Sequence, residues 1–330
     1  MITFSFVNYS KHFVACQRSF VIGGLRSCSS SKTKCNFDKP FLVKLQHRSV
    51  LKLSGKDSLD FLQGLVTNDV LQLPSQQCMY SMMLDTRGRI MHDFIMYWLP
   101  HDSDLQVLLE CEQESKDTIL KTLKMYKLRK KVKIAGECES SVWQALGPNA
   151  LDFDTVNSLF TAKSKSLLFK DPRTPLLGWR IISEQLEVSD DSTKPLENYH
   201  AHRLKLGVPE GANDLPIGKC SPLENNIDLM NGISFSKGCY LGQELTARTY
   251  HTGVIRKRLM PFMTETGLTL QYNDRIKSSD GKVTGKIRSS NSKGQGLALM
   301  KLESLQMKHF CSDNEILPYK PEWWPENLER

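Results

Sequence analysis

Apolar residues fall in two different periods along this chain, and each change of period marks an element. "VLKL" at 50–53 has the texture of a strand. Asp57 or Ser58 then stands where a helix cap is wanted. Leu59, Leu62 and Leu65 fall three apart on one helical face, and Gly64 can end the helix. "MYSMMLDTRGRIMHDFIMYWL" reads as two strands joined by a turn at Arg87-Gly88, and "LQVLLEC" as a further strand. In "ESKDTILKTLKMYKLRKKVKIAG" the spacing of Ile119, Leu120 and Leu123 predicts a helix, leading into a strand at "KVKIAG". A second segment of similar texture begins near "SVWQALG", with strands at "SLLFK" and "LGWRIIS" and a helix over "PLENYHAHRLKLG" that Gly207 and Pro209 end. Single helices among short strands in this order predict an α+β arrangement of antiparallel sheets with helices on one face. Beyond Val254 the runs become short, strand-like and separated by Gly, Asp and Ser turns, which predicts a small all-β module. The two tryptophans of the tail "PYKPEWWPENLER" are expected to dock on the body.

Composition changes this picture at the N-terminus. Residues 1–37 carry Lys11, Arg18, Arg26, Lys32 and Lys34 and no Asp or Glu, so they hold five of the eight excess positive charges of the whole chain. The segment is rich in serine and its apolar residues are interrupted by Lys11, Gln17 and Arg18, the composition of a mitochondrial transit peptide rather than a secretory signal. The mitochondrial matrix is therefore the expected location. The remaining +3 and the lack of any recognisable binding module argue against nucleic acid as a partner. The longest apolar run, "IMHDFIMYWL", is half the length of a membrane helix and contains His92 and Asp93, so no integral membrane association is expected. Lys121 to Lys133 holds seven Lys or Arg. This run reads as a solvated helix face or, more sharply, as a dock for an acidic partner or another polyanion.

The chemistry centres on "SFSKGCYLGQELTART". Cys239 stands between Gly238 and Gly242, after "NNIDLMNGISF", which has strand character, and before "GQELTAR", a helix start with Glu244 and Arg248 spaced to pair. A thiol at a strand-to-helix turn, with Lys237 nearby, is placed for a stabilised thiolate. None of the nine cysteines forms a C-x-x-C pair, so a structural zinc site is unsupported. One cysteine cannot hold an iron–sulfur cluster, which takes about four thiolates; if Cys239 binds one, the other ligands come from another protein. A Cys–His–Asp system with His251 and Asp228 or Asp214 would need a convergence that the sequence does not show. A small buried cysteine in a scaffold is the remaining reading.

"KGCYLGQE" resembles the signature of YgfZ-type proteins within the aminomethyltransferase (GcvT) superfamily. "LSGKDSLDFLQGLVTNDV", "LDTRGRI", "HRLKLGVPEG", "SPLENNIDLMNGISFSKGCYLGQELTAR" and "GKVTGKIRSS" resemble its other blocks in the right order, from about residue 40 onward. The resemblance implies an α+β, GcvT-like fold: two ferredoxin-like αβ lobes and a small C-terminal β-barrel around a central cavity able to bind tetrahydrofolate. The expected divisions are 1–37 as the import segment, 38–253 as the αβ region with its lobes split near 136–142, and 254–330 as the barrel-like module and tail. The resemblance also implies an accessory role in maturing mitochondrial [4Fe–4S] proteins. Cys239 would transiently share a [2Fe–2S] or [4Fe–4S] cluster with an A-type iron–sulfur carrier, with Lys237, Gly238, Tyr240, Gly242, Gln243 and Glu244 completing the motif. A monomer is expected. Asp93, Glu224 and Arg248 are the candidate folate residues. In one respect the chain departs from the pattern. Aminomethyltransferases carry an adjacent acidic pair after the hairpin glycine, and here "GRIMHDF" places His92 at the first acidic position, leaving Asp93. The alternative reading as a tetrahydrofolate-dependent one-carbon transferase is weakened accordingly.

Overall fold

In the computed structural model the residues described are 37–99, 105–136, 139–148, 152–162, 166–265, 268, 270–326 and 328. Of the import segment expected at 1–37, residues 1–36 lie outside them.

The long hairpin is nearly continuous in apolar residues because its strands are covered on both faces. Cys78–Leu84 pairs with Ile90–Leu99, and the sheet continues through Gln106–Glu112 and Arg48–Ser54 to Lys133–Ala135, antiparallel throughout. A second antiparallel sheet has the order Phe41–Lys44, Ser141–Leu146, Trp179–Ser183, Leu167–Lys170. The first strand among the described residues therefore crosses into the second sheet, a non-local pairing that local pattern does not reveal. The sheets share one core. Val50, Tyr80, Ile95 and Leu108 of the first meet Val43, Val142, Leu146 and Ile182 of the second. Residues of opposite parity, including Leu51, Leu53, Phe94 and Leu109, pack on the other side with Phe61, Leu62, Ile119 and Leu123 of helices Ser58–Gln63 and Lys116–Lys127. Truncating a fully buried ring such as Phe94 to alanine would cost about 3–5 kcal/mol.

The inner faces also carry charge. Arg48, Asp93 and Glu110 have the parity of Val50, Ile95 and Leu108, and Arg180 that of Ile182, so four charged residues project into an apolar seam. They are tolerated because they pair. Glu110 accepts from Arg48 Nε at 2.8 Å and Tyr97 OH at 2.5 Å. Glu210 accepts from Arg173 at 2.7 Å, Arg180 at 3.0 Å and Tyr199 OH at 2.6 Å, and contacts His47 Nε2 at 2.7 Å. Asp171 accepts from Arg173 at 2.8 Å and Arg180 at 3.3 Å. Burial alone would raise the Glu210 carboxyl; Arg173, Arg48, His47 and Arg180 overcome it and hold the group well below the usual carboxylate range.

After helix Gln243–Thr252, six strands close into a barrel: Lys257–Met263, Gln295–Lys301, Val283–Ser290, Arg275–Ser278, His309–Cys311 and Asn314–Pro318. The expected mixed αβ region with a small C-terminal β-barrel is what the chain forms. Trp324 is buried in the barrel core, and Trp323 Nε1 donates to the Leu206 carbonyl at 2.9 Å, so the tail docks as expected. Asp228 reinforces this join with a two-pronged pair to Arg258, both contacts at 2.9 Å.

The strand expected at "NNIDLMNGISF" is not formed. Leu223–Asn225 is a short 3-10 turn, and Asn226 and Asn231 take positive φ of 63° and 54°, which reverses the chain twice. Ile227 and Met230 are apolar because they plug the shared core, not because they alternate in a sheet.

Candidate functional site

The signature forms a loop laid across the first lobe, and two of its residues fix it there. Lys237 is 9% exposed, and its ammonium donates to three backbone carbonyls: Gln63 at 2.8 Å, Val66 at 2.7 Å and Asn68 at 2.7 Å. Gln63 is the last residue of helix Ser58–Gln63, where helix ends leave carbonyls without helical partners, and Val66 and Asn68 lie just beyond it. Burial pushes the Lys237 ammonium down to about 8, against the opposing pull of Asp69. Lys237 also lies over the Tyr240 ring at 5.0 Å. The expectation that Lys237 serves the thiol is therefore corrected: its three donors are occupied by the carbonyls beneath the loop.

Gly242 is the second fixture. Its φ is +76°, and a Cβ there would come within 2.3 Å of the Asp85 carbonyl and 2.8 Å of the Leu84 Cβ. Gly88, at the tip of the hairpin, also has φ +76°, and a Cβ on it would stand 2.9 Å from the Gly242 carbonyl. Two motifs some 150 residues apart thus meet glycine to glycine. Asp85 shapes the tip by accepting from the Arg87 and Arg89 backbone N–H groups at 2.9 and 2.8 Å.

Between these fixtures Cys239 is exposed and free. This overturns the reading of a scaffold with a buried cysteine. The four other described cysteines, Cys78, Cys111, Cys220 and Cys311, are buried or half-buried, and burial raises each of their thiols, Cys111 to about 12. Gly238 is exposed, and a Cβ there would meet nothing within 4 Å, so the space beside Cys239 is open. Tyr240, Gly242, Gln243 and Glu244 line a shallow groove with Thr86 and Ala247. Glu244 is exposed and reaches Arg248 only at 3.9 Å.

The nucleophile system is not assembled. Asp228 is engaged with Arg258, Asp214 with Arg203, and His251 is exposed at the end of helix Gln243–Thr252. Among the described residues, no three His, Cys, Asp or Glu side chains converge as a metal site. The three folate candidates do not line one pocket. Asp93 is buried, accepting from Arg48 at 3.3 Å and the Gly211 N–H at 3.1 Å. The cavity beside it, shared with His92, Glu112 and Ala212, has a volume of about 10 Å³, room for a single water. Burial lowers the pKa of His92, keeping the imidazole neutral there. Glu224 accepts from Ser221 Oγ at 3.0 Å and lines a groove with Arg89 and Thr246, while Arg248 is exposed on the following helix.

A larger cleft of about 660 Å³ was not foreseen. It lies between helix Leu196–Lys205 and the barrel and is lined by Arg203, Tyr272, Arg288 and Lys293 among others. Arg288 Nε and Ser289 Oγ are buried there without a hydrogen-bond partner. Its residues come from four separated stretches, so no local motif could announce it.

Two stacked sheets followed by a closed barrel, with an open cysteine on a pinned loop, are a GCVT-like fold with a C-terminal barrel, as similarity to known proteins bears out. Residues 39–160 match the GCVT N-terminal domain, and residues 256–326 match the CAF17 C-terminal beta-barrel domain. The structure resembles aminomethyltransferase T of the glycine cleavage system from Bartonella henselae, with a TM-score of 0.66 over 89% of this chain and 88% of that one; at 13% identity this shows the fold alone. The chain is 35% identical over 304 residues to the mitochondrial iron–sulfur cluster assembly factor IBA57 of Mus musculus, covering 86% of this chain and 85% of the relative. It is also 35% identical over 305 residues to the factor of the same name from Homo sapiens, with the same coverage. The chain belongs to the IBA57 family, and the mitochondrial location expected from its N-terminus agrees with the names of these relatives.

Proposed function

We propose that this protein is an accessory factor in the maturation of [4Fe–4S] proteins in the mitochondrial matrix, acting as a monomer with an A-type iron–sulfur carrier. The cluster is cargo. Cys239 supplies one thiolate and the carrier's cysteines supply the rest. The observation that carries the reading is the Cys239 thiol itself: exposed, beside open space at Gly238, on a loop fixed by Lys237 and Gly242. A pre-set loop loses little freedom when a partner's ligands close around a shared metal centre.

The test mixes the protein with a cluster-loaded A-type carrier and follows complex formation, visible absorbance and bound iron. Wild type is expected to form a complex that retains the cluster, and Cys239→Ser to lose retention while keeping its fold. Equal retention by the two proteins removes the ligand role.

Folate binding is supported by a separate observation, the cleft between helix Leu196–Lys205 and the barrel. Its size, its cations and the unpartnered Arg288 Nε fit an extended polyanion such as a folate tail. The water-sized cavity at Asp93 does not fit a pterin ring, and the Asp93 carboxylate is already held by Arg48 and Gly211. One-carbon transfer through Asp93 is therefore not proposed. Titration with tetrahydrofolate is expected to show binding that Arg288→Ala weakens and Asp93→Asn leaves unchanged; no binding by wild type removes the folate reading.

A further inference from the structure

The basic run Lys121–Lys133 takes no part in the site around Cys239. It forms the end of helix Lys116–Lys127, the turn beyond it and the edge strand Lys133–Ala135. Within it Lys130 is paired with Asp60. For Lys121, Lys124, Lys127, Arg129, Lys131 and Lys133, no carboxylate lies within salt-bridge distance among the described residues. Asp117 stands at the opposite end of the helix, about 15 Å from Lys127 at 1.5 Å per residue.

Two large apolar side chains stand among these cations. Met125 is 64% exposed and Leu128 is 86% exposed, the most exposed large apolar side chain described. Leu128 takes φ +47°, so the helix ends on a residue that leaves the helical face. The turn beyond it is fixed. The Lys131 N–H donates to Asp57 at 2.7 Å, Lys130 is held by Asp60, and Val132 is buried in the core under the first sheet. Gly55, at φ +115°, admits the Lys131 carbonyl where a Cβ would come within 2.3 Å of it. The feature is a rigid basic knuckle that presents leucine and methionine to solvent, leaving their apolar surface in contact with water.

We propose that this knuckle is a peripheral docking site for an anionic lipid surface, with Leu128 and Met125 entering the interfacial layer and the surrounding Lys and Arg lying against lipid headgroups. The charge is complementary to such a surface, and exposed apolar side chains ringed by long cationic ones suit an interface with apolar depth below charge. An acidic protein would account for the cations but would not require Leu128 to stand clear of the body. This site is independent of the role assigned to Cys239.

The test is cosedimentation of the full chain with vesicles of phosphatidylcholine alone and of equimolar phosphatidylcholine and phosphatidylserine. The basic residues of 1–37 are common to every variant, so the differences between variants are read. Binding is expected only with the anionic vesicles, and to weaken as salt is raised. Each charge removed in Lys124→Gln, Arg129→Gln and Lys131→Gln is expected to weaken it by about fivefold, since each cation near such a surface contributes about 1 kcal/mol. Met125→Ser with Leu128→Ser, which keeps every charge, is expected to weaken it about tenfold or more, given about 0.8 kcal/mol per CH₂ immersed. All positions are on the surface, and circular dichroism confirms that each variant is folded. Binding that is absent, equal on neutral vesicles or unchanged in the charge variants overturns the proposal. So does binding unchanged in the Met125/Leu128 variant but displaced by polyglutamate, which would assign the knuckle to an acidic protein.

Discussion

The seam between the sheets and the signature loop use the same polar chemistry to opposite ends. In the seam, Arg48, Arg173 and Arg180 and the carboxylates of Asp93, Glu110, Asp171 and Glu210 are buried and turned on one another. In the loop, Lys237 is likewise buried and fully bonded, but its effect is to hold a neighbour, Cys239, in the open. Mutual pairing of buried charges gives the first region a fixed architecture, and pinning a loop around one exposed thiol gives the second a site. A charged residue near a reactive atom is thus not evidence that it acts on that atom. The destination of its hydrogen bonds decides.

The largest expected effect lies in the seam. Glu210→Ala removes one acceptor from each of Arg173, Arg180 and Tyr199 and leaves the arginine charges under-compensated, and a loss of about 3–5 kcal/mol is expected in urea unfolding. A loss below about 1 kcal/mol would show that the network is not what joins the lobes.

Next is the loop's own fixture. Gly242→Ala combines a left-handed backbone with a Cβ at 2.3 Å from the Asp85 carbonyl, and about 2–4 kcal/mol of destabilisation is expected. Gly238→Ala, facing open space, is expected to change stability by less than about 0.5 kcal/mol. Equal effects in thermal melts would break the distinction between the pinned and the open glycine.

A smaller effect concerns pH. Burial, then Arg203 and His47, lower the His200 pKa to about 4 from its ordinary 6.5, so the folded protein holds the ring neutral while the unfolded chain protonates it first. Its contribution is fully present above pH 6.5 and is lost as pH falls from there through about 4. His200→Asn should therefore flatten part of the decline in melting temperature over that window. Parallel pH profiles for the two proteins would show that the half-buried histidine does not titrate differently in the folded and unfolded chains.

The smallest structural effect is expected at the site itself. Cys239→Ser should leave the unfolding midpoint unchanged within about 0.5 kcal/mol, because the side chain is exposed. In the folded wild type, iodoacetamide should modify Cys239 ahead of Cys78, Cys111, Cys220 and Cys311, as read by peptide mass mapping. Protection of Cys239 would move it into the seam's class and remove the basis for a shared cluster.

The residues themselves marked the long hairpin, the helices at 58–63, 116–127 and 196–205, the β texture of the C-terminal module and the singular setting of Cys239, because each is a local pattern of period, cap or turn. They misled at 225–235, where Ile227 and Met230 look like strand residues but plug a core between αL asparagines. They also misled at Lys237, whose partners lie about 170 residues earlier in the chain. Only the tertiary structure could show that Phe41–Lys44 joins the second sheet, that Gly88 and Gly242 touch, that Asp93 is sealed beside a one-water cavity and that Cys239 is open. Each of these depends on contacts between segments far apart in sequence. Local propensity sets what a segment can form, whereas burial and hydrogen-bond partners are fixed only when the sheets close on each other.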